Sequence, residues 1–198
     1  MIFERLKSGA KVDDDDFDAM YTRPIRAISQ FHFTPVEVAK MAAQYLVKKP
    51  GAKVLDIGSG AGKFCMIGAT CTEGHFTGVE QRKSLHLLSQ KLAKKYGLAG
   101  LTFIHKNITT VEFKEFDAIY FFNAFFENIF HTDPIDGSIV MNKQLYAVYS
   151  LYVKEQLGTM PVGTRLATYF SYLDEIPDSY EIHRTDFDGK LKFWEKTA

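Results

Sequence analysis

The chain has 198 residues, of which 46% are hydrophobic, and its 24 lysine and arginine residues balance 24 aspartate and glutamate residues. This length supports one sizeable hydrophobic core, so we expect a single domain over residues 1–198. The balanced charge provides no net field for polynucleotides, anionic lipid or an acidic partner, and it disfavours nucleic acid as the substrate.

The N-terminal residues 1–32 contain an acidic run at residues 13–16, followed by Phe17 and Asp18. Such a charge run predicts a solvated, poorly ordered leader. The residues that follow are candidates for a lid over a ligand, namely Tyr21, Arg23, His32 and Phe33. We therefore divide the chain into an acidic leader with a lid segment (1–32) and a core (33–195).

A helix start is predicted at residues 34–37, which read Thr-Pro-Val-Glu. Thr34 is the expected capping residue, proline follows at the first helical position, and glutamate stands three residues after the cap. The sequence Lys-Lys-Pro-Gly at residues 48–51 is expected to end this helix.

From residue 53 onward, predicted strands and helices alternate. We expect strands over residues 53–57, 76–80, 101–105, 116–122 and 164–170, helices over 62–69, 82–96 and 138–157, and a hairpin of residues 180–185 and 190–195. This alternation implies right-handed crossovers and parallel strands. The expected fold is α/β: a doubly wound, mostly parallel seven-stranded sheet with an antiparallel C-terminal hairpin strand and helices on both faces.

Residues 54–64 read VLDIGSGAGKF, with three glycines in five positions after an apolar run. Glycine lets the backbone approach a ligand closely, and the helix that follows offers unpaired N–H groups. In an open parallel sheet, such a turn forms one wall of the ligand crevice. A nicotinamide-dinucleotide fingerprint requires its third glycine at position 63, where this chain has lysine, so a nicotinamide oxidoreductase is disfavoured.

The glycine-rich run resembles motif I of the class I, seven-strand methyltransferases, which bind S-adenosylmethionine. In that family, an acidic residue at the end of the second strand binds the ribose hydroxyls, and the residue after the third strand contacts the adenine amino group. The resemblance assigns these residues to the cofactor: Thr34, Asp56, Gly58, Ser59, Gly60, Gly62, Glu80, Gln81, Asn107, Ile108 and Asn123. Among them, Asp56 is expected to orient the methionine end, and Ile108 to flank the adenine ring.

The end of the fourth predicted strand reads YFFNAFFEN over residues 120–128. Amino-group methyltransferases have there a polar residue, two prolines and an aromatic residue. This chain keeps Asn123 and Phe126 but has Ala124 and Phe125 in place of the prolines, a departure that argues against base methylation. The segment is more similar to the non-SET seven-strand protein-lysine methyltransferases. This resemblance implies that Asn123, Phe125 and Phe126 are the catalytic residues that align the acceptor.

We therefore expect an S-adenosylmethionine-dependent methyltransferase that acts on an amine or another nucleophile of a protein or small-molecule acceptor. Two alternatives remain open. One is a protein that binds S-adenosylmethionine as a scaffold without catalysis, because a glycine loop cannot show that an acceptor is methylated. The other is a nucleic-acid methyltransferase, which typically has a basic stripe and the two-proline motif.

Cysteine content and apolar stretches bear on location. Cys65 and Cys71 are the two cysteines, and the sequence shows no signal-peptide pattern, which predicts a reduced, cytoplasmic setting. The longest apolar stretch, residues 118–126, is interrupted by Asn123 and is too short to span a bilayer, so no membrane partner is expected. The six histidines show no metal-ligand spacing, and no metal site is expected.

Overall fold

A seven-stranded sheet organises the described part of the chain, which in the computed structural model comprises residues 1–130, 134–171 and 173–198. The strands are β1 (Lys53–Ile57), β2 (His75–Glu80), β3 (Leu101–His105), β4 (Ala118–Phe122), β5 (Arg165–Tyr169), β6 (Tyr180–Asp186) and β7 (Leu191–Lys196). Their order is β3-β2-β1-β4-β5-β7-β6, with β1 to β5 parallel and β7 antiparallel to both of its neighbours. The predicted sheet with its antiparallel hairpin strand is confirmed.

Helices cover both faces of the sheet. They are α1 (Ile2–Lys7), α2 (Asp14–Asp18), α3 (Arg23–His32), α4 (Val36–Leu46), α5 (Lys63–Cys71), α6 (Lys83–Tyr96) and α7 (Lys143–Thr159). In β1, Val54 packs in the cluster that includes α4 and α5, whereas Leu55 and Ile57 pack in the cluster that includes α7. Because successive strand residues face opposite sides, burial on both faces requires mostly apolar strands, such as β4 throughout and β1 apart from Lys53 and Asp56.

Two helix boundaries show how side chains decide where a helix starts or stops. Helix α6 ends before Gly97, which adopts a left-handed conformation with φ of 62°, as its sequence predicts. Helix α7 starts at Lys143, not near residue 138, because the side chain of Asn142 accepts a hydrogen bond from the backbone N–H of Leu145 at 2.9 Å. The predicted start of that helix was therefore several residues too early.

The prediction of a poorly ordered N-terminal leader is wrong. Residues 1–18 contain α1 and α2, and the apolar side chains of this segment, Phe3, Leu6, Val12 and Phe17, are buried in the main core. The acidic residues of α2 face a buried lysine, since Lys63 Nζ lies 2.7 Å from Asp14 Oδ1 and 2.8 Å from Asp18 Oδ1. The acidic run is therefore an internal ion-pair partner as well as a solvated surface.

The predicted capping role of Thr34 is also wrong. Helix α4 begins at Val36, and the hydroxyl of Thr34 instead lies 2.9 Å from the hydroxyl of Tyr120 in β4. The first N–H group of the helix, that of Val36, donates to Asp14 Oδ1 at 3.0 Å. The Asp14 carboxylate of the N-terminal segment thus satisfies an N–H group at the start of α4, where the sequence predicted Thr34 as the cap.

Candidate functional site

A cavity of about 670 Å³ lies at the carboxyl ends of the parallel strands. Nine of the residues predicted from the sequence line it: Gly58, Gly60, Glu80, Gln81, Asn107, Ile108, Asn123, Phe125 and Phe126. The other four do not. Thr34, Asp56 and Ser59 line a much smaller adjoining void, and Gly62 lies against Phe103 beneath the loop. The residues predicted from the sequence therefore include one wall of the cavity and four residues packed beside or behind that wall.

The glycine loop is packed closely against its neighbours. Gly58 has φ of +73°, and a Cβ added to it would lie 2.6 Å from the Cβ of Ala124, just beyond β4. Gly60 has φ of +54°, and its added Cβ would lie 2.9 Å from the ring of Phe33. Both positions combine a left-handed backbone with a close contact, so a side chain at either would disturb the loop. The glycine loop therefore packs against the end of β4 on one side and against the N-terminal segment on the other.

Two backbone N–H groups hold the Glu80 carboxylate in the cavity wall. Its Oε2 accepts a hydrogen bond from the N–H of Gly60 at 2.9 Å, and its Oε1 accepts one from the N–H of Arg82 at 2.7 Å. Burial raises the pKa of this carboxyl, and the two backbone donors and the Arg82 charge oppose that rise. Each carboxylate oxygen keeps a second lone pair, so the group can also accept hydrogen bonds from two ligand hydroxyls.

Asn107 caps a short 3-10 helix at residues 108–110. Its Oδ1 accepts hydrogen bonds from the N–H and the hydroxyl of Thr109 at 3.1 and 3.0 Å, and its Nδ2 donates to the hydroxyl of Tyr149 at 3.0 Å. These bonds fix the amide in the cavity wall, with its oxygen already accepting two bonds. Contact of this oxygen with adenine remains a prediction.

Asn123 follows β4 directly and has a positive φ of 38°. Asparagine tolerates this region better than most residues, yet the conformation is still costly, and such residues cluster at ligand sites. The two predicted aromatic partners differ from each other. Phe125 is buried between Phe121 and Tyr149, with ring centroids 5.3 and 5.2 Å away, whereas Phe126 is half-buried and stacks on Phe130 at 4.6 Å. Phe126 is the more accessible of the two.

Asp56 lies buried behind the loop. Cys65 Sγ donates a hydrogen bond to its Oδ2 at 3.2 Å. Burial raises the pKa of Asp56 to about 7, the Cys65 bond opposes this, and the nearby Glu80 carboxylate adds to it. Because Asp56 does not line the main cavity, its predicted contact with the methionine end is not direct in this arrangement, and that role remains a prediction.

The sequence reading missed Arg82, which connects the two sides of the cavity. Its buried guanidinium donates to Glu127 Oε2 at 2.9 Å and to Asp136 Oδ1 at 3.2 Å, both beyond β4. Its backbone N–H holds Glu80, as described above. An arginine two residues after the strand-end acid was visible in the sequence, but its partners lie 45 and 54 positions away.

Among the described residues, no group of three or more histidine, cysteine, aspartate or glutamate side chains is arranged to hold a metal ion. Within the same described ranges, none of the helices has the length and apolar character needed to cross a bilayer.

Residues 48–149 match a family model described as a methyltransferase domain. Among solved structures, TrmN from Thermus thermophilus is similar over 88% of this chain and 52% of the TrmN chain, with 18% identity and a TM-score of 0.61. An RNA methyltransferase from Salinibacter ruber, in complex with S-adenosylhomocysteine, matches 83% and 92%, with 18% identity and a TM-score of 0.58. A mutant of MtNAS in complex with S-adenosylmethionine matches 98% and 73%, with 14% identity and a TM-score of 0.59.

At these identities the similarity shows the fold alone. This chain spans about half the length of TrmN. None of the curated proteins searched matches the chain.

Proposed function

Because the chain belongs to the methyltransferase domain family, whose cofactor is S-adenosylmethionine, we propose that the cavity binds this cofactor and that the protein methylates an amine or another nucleophile of a small-molecule or protein acceptor. The observation that carries the proposal is the Glu80 carboxylate, held at the cavity wall by the N–H groups of Gly60 and Arg82. A pre-oriented acid beside a glycine loop suits a ribose with two adjacent hydroxyls.

The residues present fit the cofactor. Glu80 has lone pairs left for hydroxyl groups, and the left-handed glycines leave bare backbone on the cavity side. Asn107 and Ile108, which follow β3, line the same cavity and are the residues that the resemblance assigns to the adenine. S-adenosylmethionine supplies a methyl group on a positively charged sulfur, which a lone pair of the acceptor can displace in line.

The protein's own contribution is alignment and exclusion of water. We assign acceptor alignment to Asn123, because its strained backbone holds the side chain at the end of β4 on the cavity wall. An amide oxygen there can accept a hydrogen bond from an acceptor N–H and so direct the nitrogen lone pair. Phe33 and Phe126 line the same cavity and provide apolar cover.

The acceptor class is the least constrained part of the proposal. Aromatic residues at the cavity, including Phe126 stacked on Phe130, support a channel for an apolar stem such as that of lysine. Ring faces also attract a cationic head group. A nucleic-acid acceptor remains the second candidate, because one of the structures with this fold is an RNA methyltransferase. A scaffold that binds the cofactor without catalysis is the third.

Calorimetric titration with S-adenosylmethionine, S-adenosylhomocysteine and NAD tests the cofactor assignment. We expect binding of the first two only, and binding lost or strongly weakened in Glu80→Ala. The protein is then incubated with cofactor labelled in its methyl group and with fractions of small molecules, proteins and RNA. Binding of NAD alone, or of none of the three, would contradict the cofactor assignment. Binding without transfer to any fraction would favour the scaffold.

A further inference from the structure

The cavity extends beyond the half that the cofactor residues line. The adjacent strands β3, β2 and β1 bring together Asn107, which follows β3, Glu80, which ends β2, and the glycine loop, which follows β1. On the other side of Asn123, the cavity wall is formed by the end of β5 and the turn of the β6–β7 hairpin. We call this part, comprising Phe170, Ser171, Asp188, Gly189, Lys190 and Lys192, the hairpin wall. Asp188 and Gly189 were predicted from the sequence as the hairpin turn, but no residue of the hairpin wall was predicted as a site residue.

The backbone of the hairpin wall is strained where it meets the cavity. Phe170, the first residue after β5, has φ of +52°, and Asn123, the first residue after the adjacent β4, has φ of +38°. The N–H of Phe170 donates to the carbonyl oxygen of Lys190 at 3.0 Å, which ties the strand end to the hairpin. A phenylalanine in this region is an outlier, and the residue is 46% exposed instead of buried. Strained residues of this kind are enriched at ligand sites.

The hairpin wall also carries more positive than negative charge. Lys190 Nζ lies 5.3 Å from the centroid of the Phe170 ring, and Lys192 Nζ donates to the carbonyl oxygen of Gly189. Across the described ranges, no carboxylate lies within 4.0 Å of either ammonium group. Asp188 is the acidic residue of the hairpin wall, so two ammonium groups face one carboxylate.

The other carboxylates of the cavity are already engaged. Glu80 accepts two backbone hydrogen bonds, and Glu127 is paired with Arg82 and accepts from the N–H of Ile135. Neither is therefore available to neutralise the lysines of the hairpin wall. A cavity half with an exposed ring and uncompensated ammonium groups suits a ligand that is both apolar and anionic.

We infer that the hairpin wall recognises the methyl acceptor, and that this acceptor is a small molecule with a carboxylate or phosphate next to a planar apolar group. The inference rests on the proposed function. Phe170 stacks on the planar group, while Lys190 and Lys192 bind the anion. A small molecule is favoured over RNA because the chain has no net charge and because only two lysines form the basic part of this wall.

The test uses the full chain saturated with S-adenosylhomocysteine. Benzoate, phenyl phosphate, benzyl alcohol and benzylamine are titrated by ligand-observed NMR at low and high salt. We compare wild type, the double variant Lys190→Met with Lys192→Met, and Phe170→Ala. Lys154→Met is the control, because Lys154 is an exposed lysine on α7 outside the cavity. A short fluorescent single-stranded RNA is titrated in parallel.

We expect both anions to bind more tightly than the alcohol and the amine. The double variant should weaken their binding roughly three- to tenfold, as for partly exposed charge pairs, and Lys154→Met should leave it unchanged. Phe170→Ala should weaken all four aromatic probes, and higher salt should weaken the anions alone.

Affinity for the anionic probes no higher than for the neutral alcohol, or an unaffected double variant, would overturn the inference. RNA that binds more tightly than phenyl phosphate, and loses affinity in the double variant, would replace the small molecule with a polynucleotide and so also overturn it. Failure of the proposed function is separate, because it appears as failure to bind S-adenosylhomocysteine in the first titration.

Discussion

Replacing Lys63 tests whether the N-terminal segment is part of the folded core. The side chain of Lys63 is 3% exposed, and its ammonium nitrogen lies 2.7 Å from Asp14 Oδ1 and 2.8 Å from Asp18 Oδ1. It also lies 3.4 Å from the hydroxyl of Ser29 and 5.5 Å from the centroid of the Phe17 ring. This lysine directly follows the glycine loop, so its ion pairs connect α2, and its hydrogen bond to Ser29 connects α3, to the candidate cofactor site.

The expected cost of Lys63→Met follows from what the substitution leaves behind. Asp14 is 51% exposed and can be solvated by water, whereas Asp18 is 9% exposed and loses its partner inside the protein. Removing one member of a buried ion pair costs about 3–5 kcal/mol, and one half-exposed acid favours the lower end of that range. At about 3 kcal/mol, the melting temperature of a chain of this size falls by about 6–12 °C.

Urea unfolding followed by tryptophan fluorescence measures this loss, and thermal unfolding provides a second measurement. Combining Lys63→Met with Asp18→Asn should recover most of the stability, because no buried charge is then left unpaired. Lys40→Met is the control, since its pair with Glu37 lies at the surface and should contribute less than about 1 kcal/mol. A Lys63→Met protein as stable as the Lys40→Met protein would refute the buried ion pair.

Four further predictions concern the cavity. Glu80→Ala should weaken S-adenosylmethionine binding by about 1.5–3 kcal/mol in calorimetry, because charged hydrogen bonds are lost, and unchanged affinity would exclude its ribose role. Asn123→Ala should slow methyl transfer more than it weakens cofactor binding, and the reverse pattern would make Asn123 a cofactor residue. Gly58→Ala should abolish cofactor binding, since the added Cβ would lie 2.6 Å from the Cβ of Ala124. Adding Ala124→Gly should restore part of the binding. Tight cofactor binding by Gly58→Ala alone would contradict the close contact. Burial raises the pKa of Asp56 from 3.8 to about 7. As the pH rises, the Asp56 carboxyl therefore loses its proton in the unfolded chain before it does so in the folded protein. Between about pH 4 and pH 7 this difference should lower the free energy of unfolding by about 4 kcal/mol. Asp56→Asn should lack that fall in a urea series, and identical pH profiles would show that the shift is absent.

Much of the fold and part of the cavity could be predicted from local sequence. Strand β1 was found with its exact bounds because a buried parallel strand is a short apolar run. The end of α6 followed from Gly97, whose left-handed conformation is a local preference. That Gly58 and Glu80 line one cavity could be predicted because the strand-turn-helix order brings a glycine loop and the end of the next strand to one edge. These are properties of short segments or of regular crossovers, so the sequence is sufficient for them.

Contacts between residues that are far apart in the chain were decided by the tertiary structure. The acidic run at residues 13–16 has the composition of a solvated leader, and only the fold brings Lys63 to it across about fifty residues. In the same way, the partners of Arg82 and the meeting of Phe170 with Lys190 depend on which strands are adjacent. From residue 53 onward, the sequence by itself determined where the strands, most helix boundaries and the glycine loop form, because these follow from local periodicity and backbone preference. Which charges are buried together, what lines the far half of the cavity and that the N-terminal segment folds into helices were decided by packing, because these depend on which elements become neighbours in the fold.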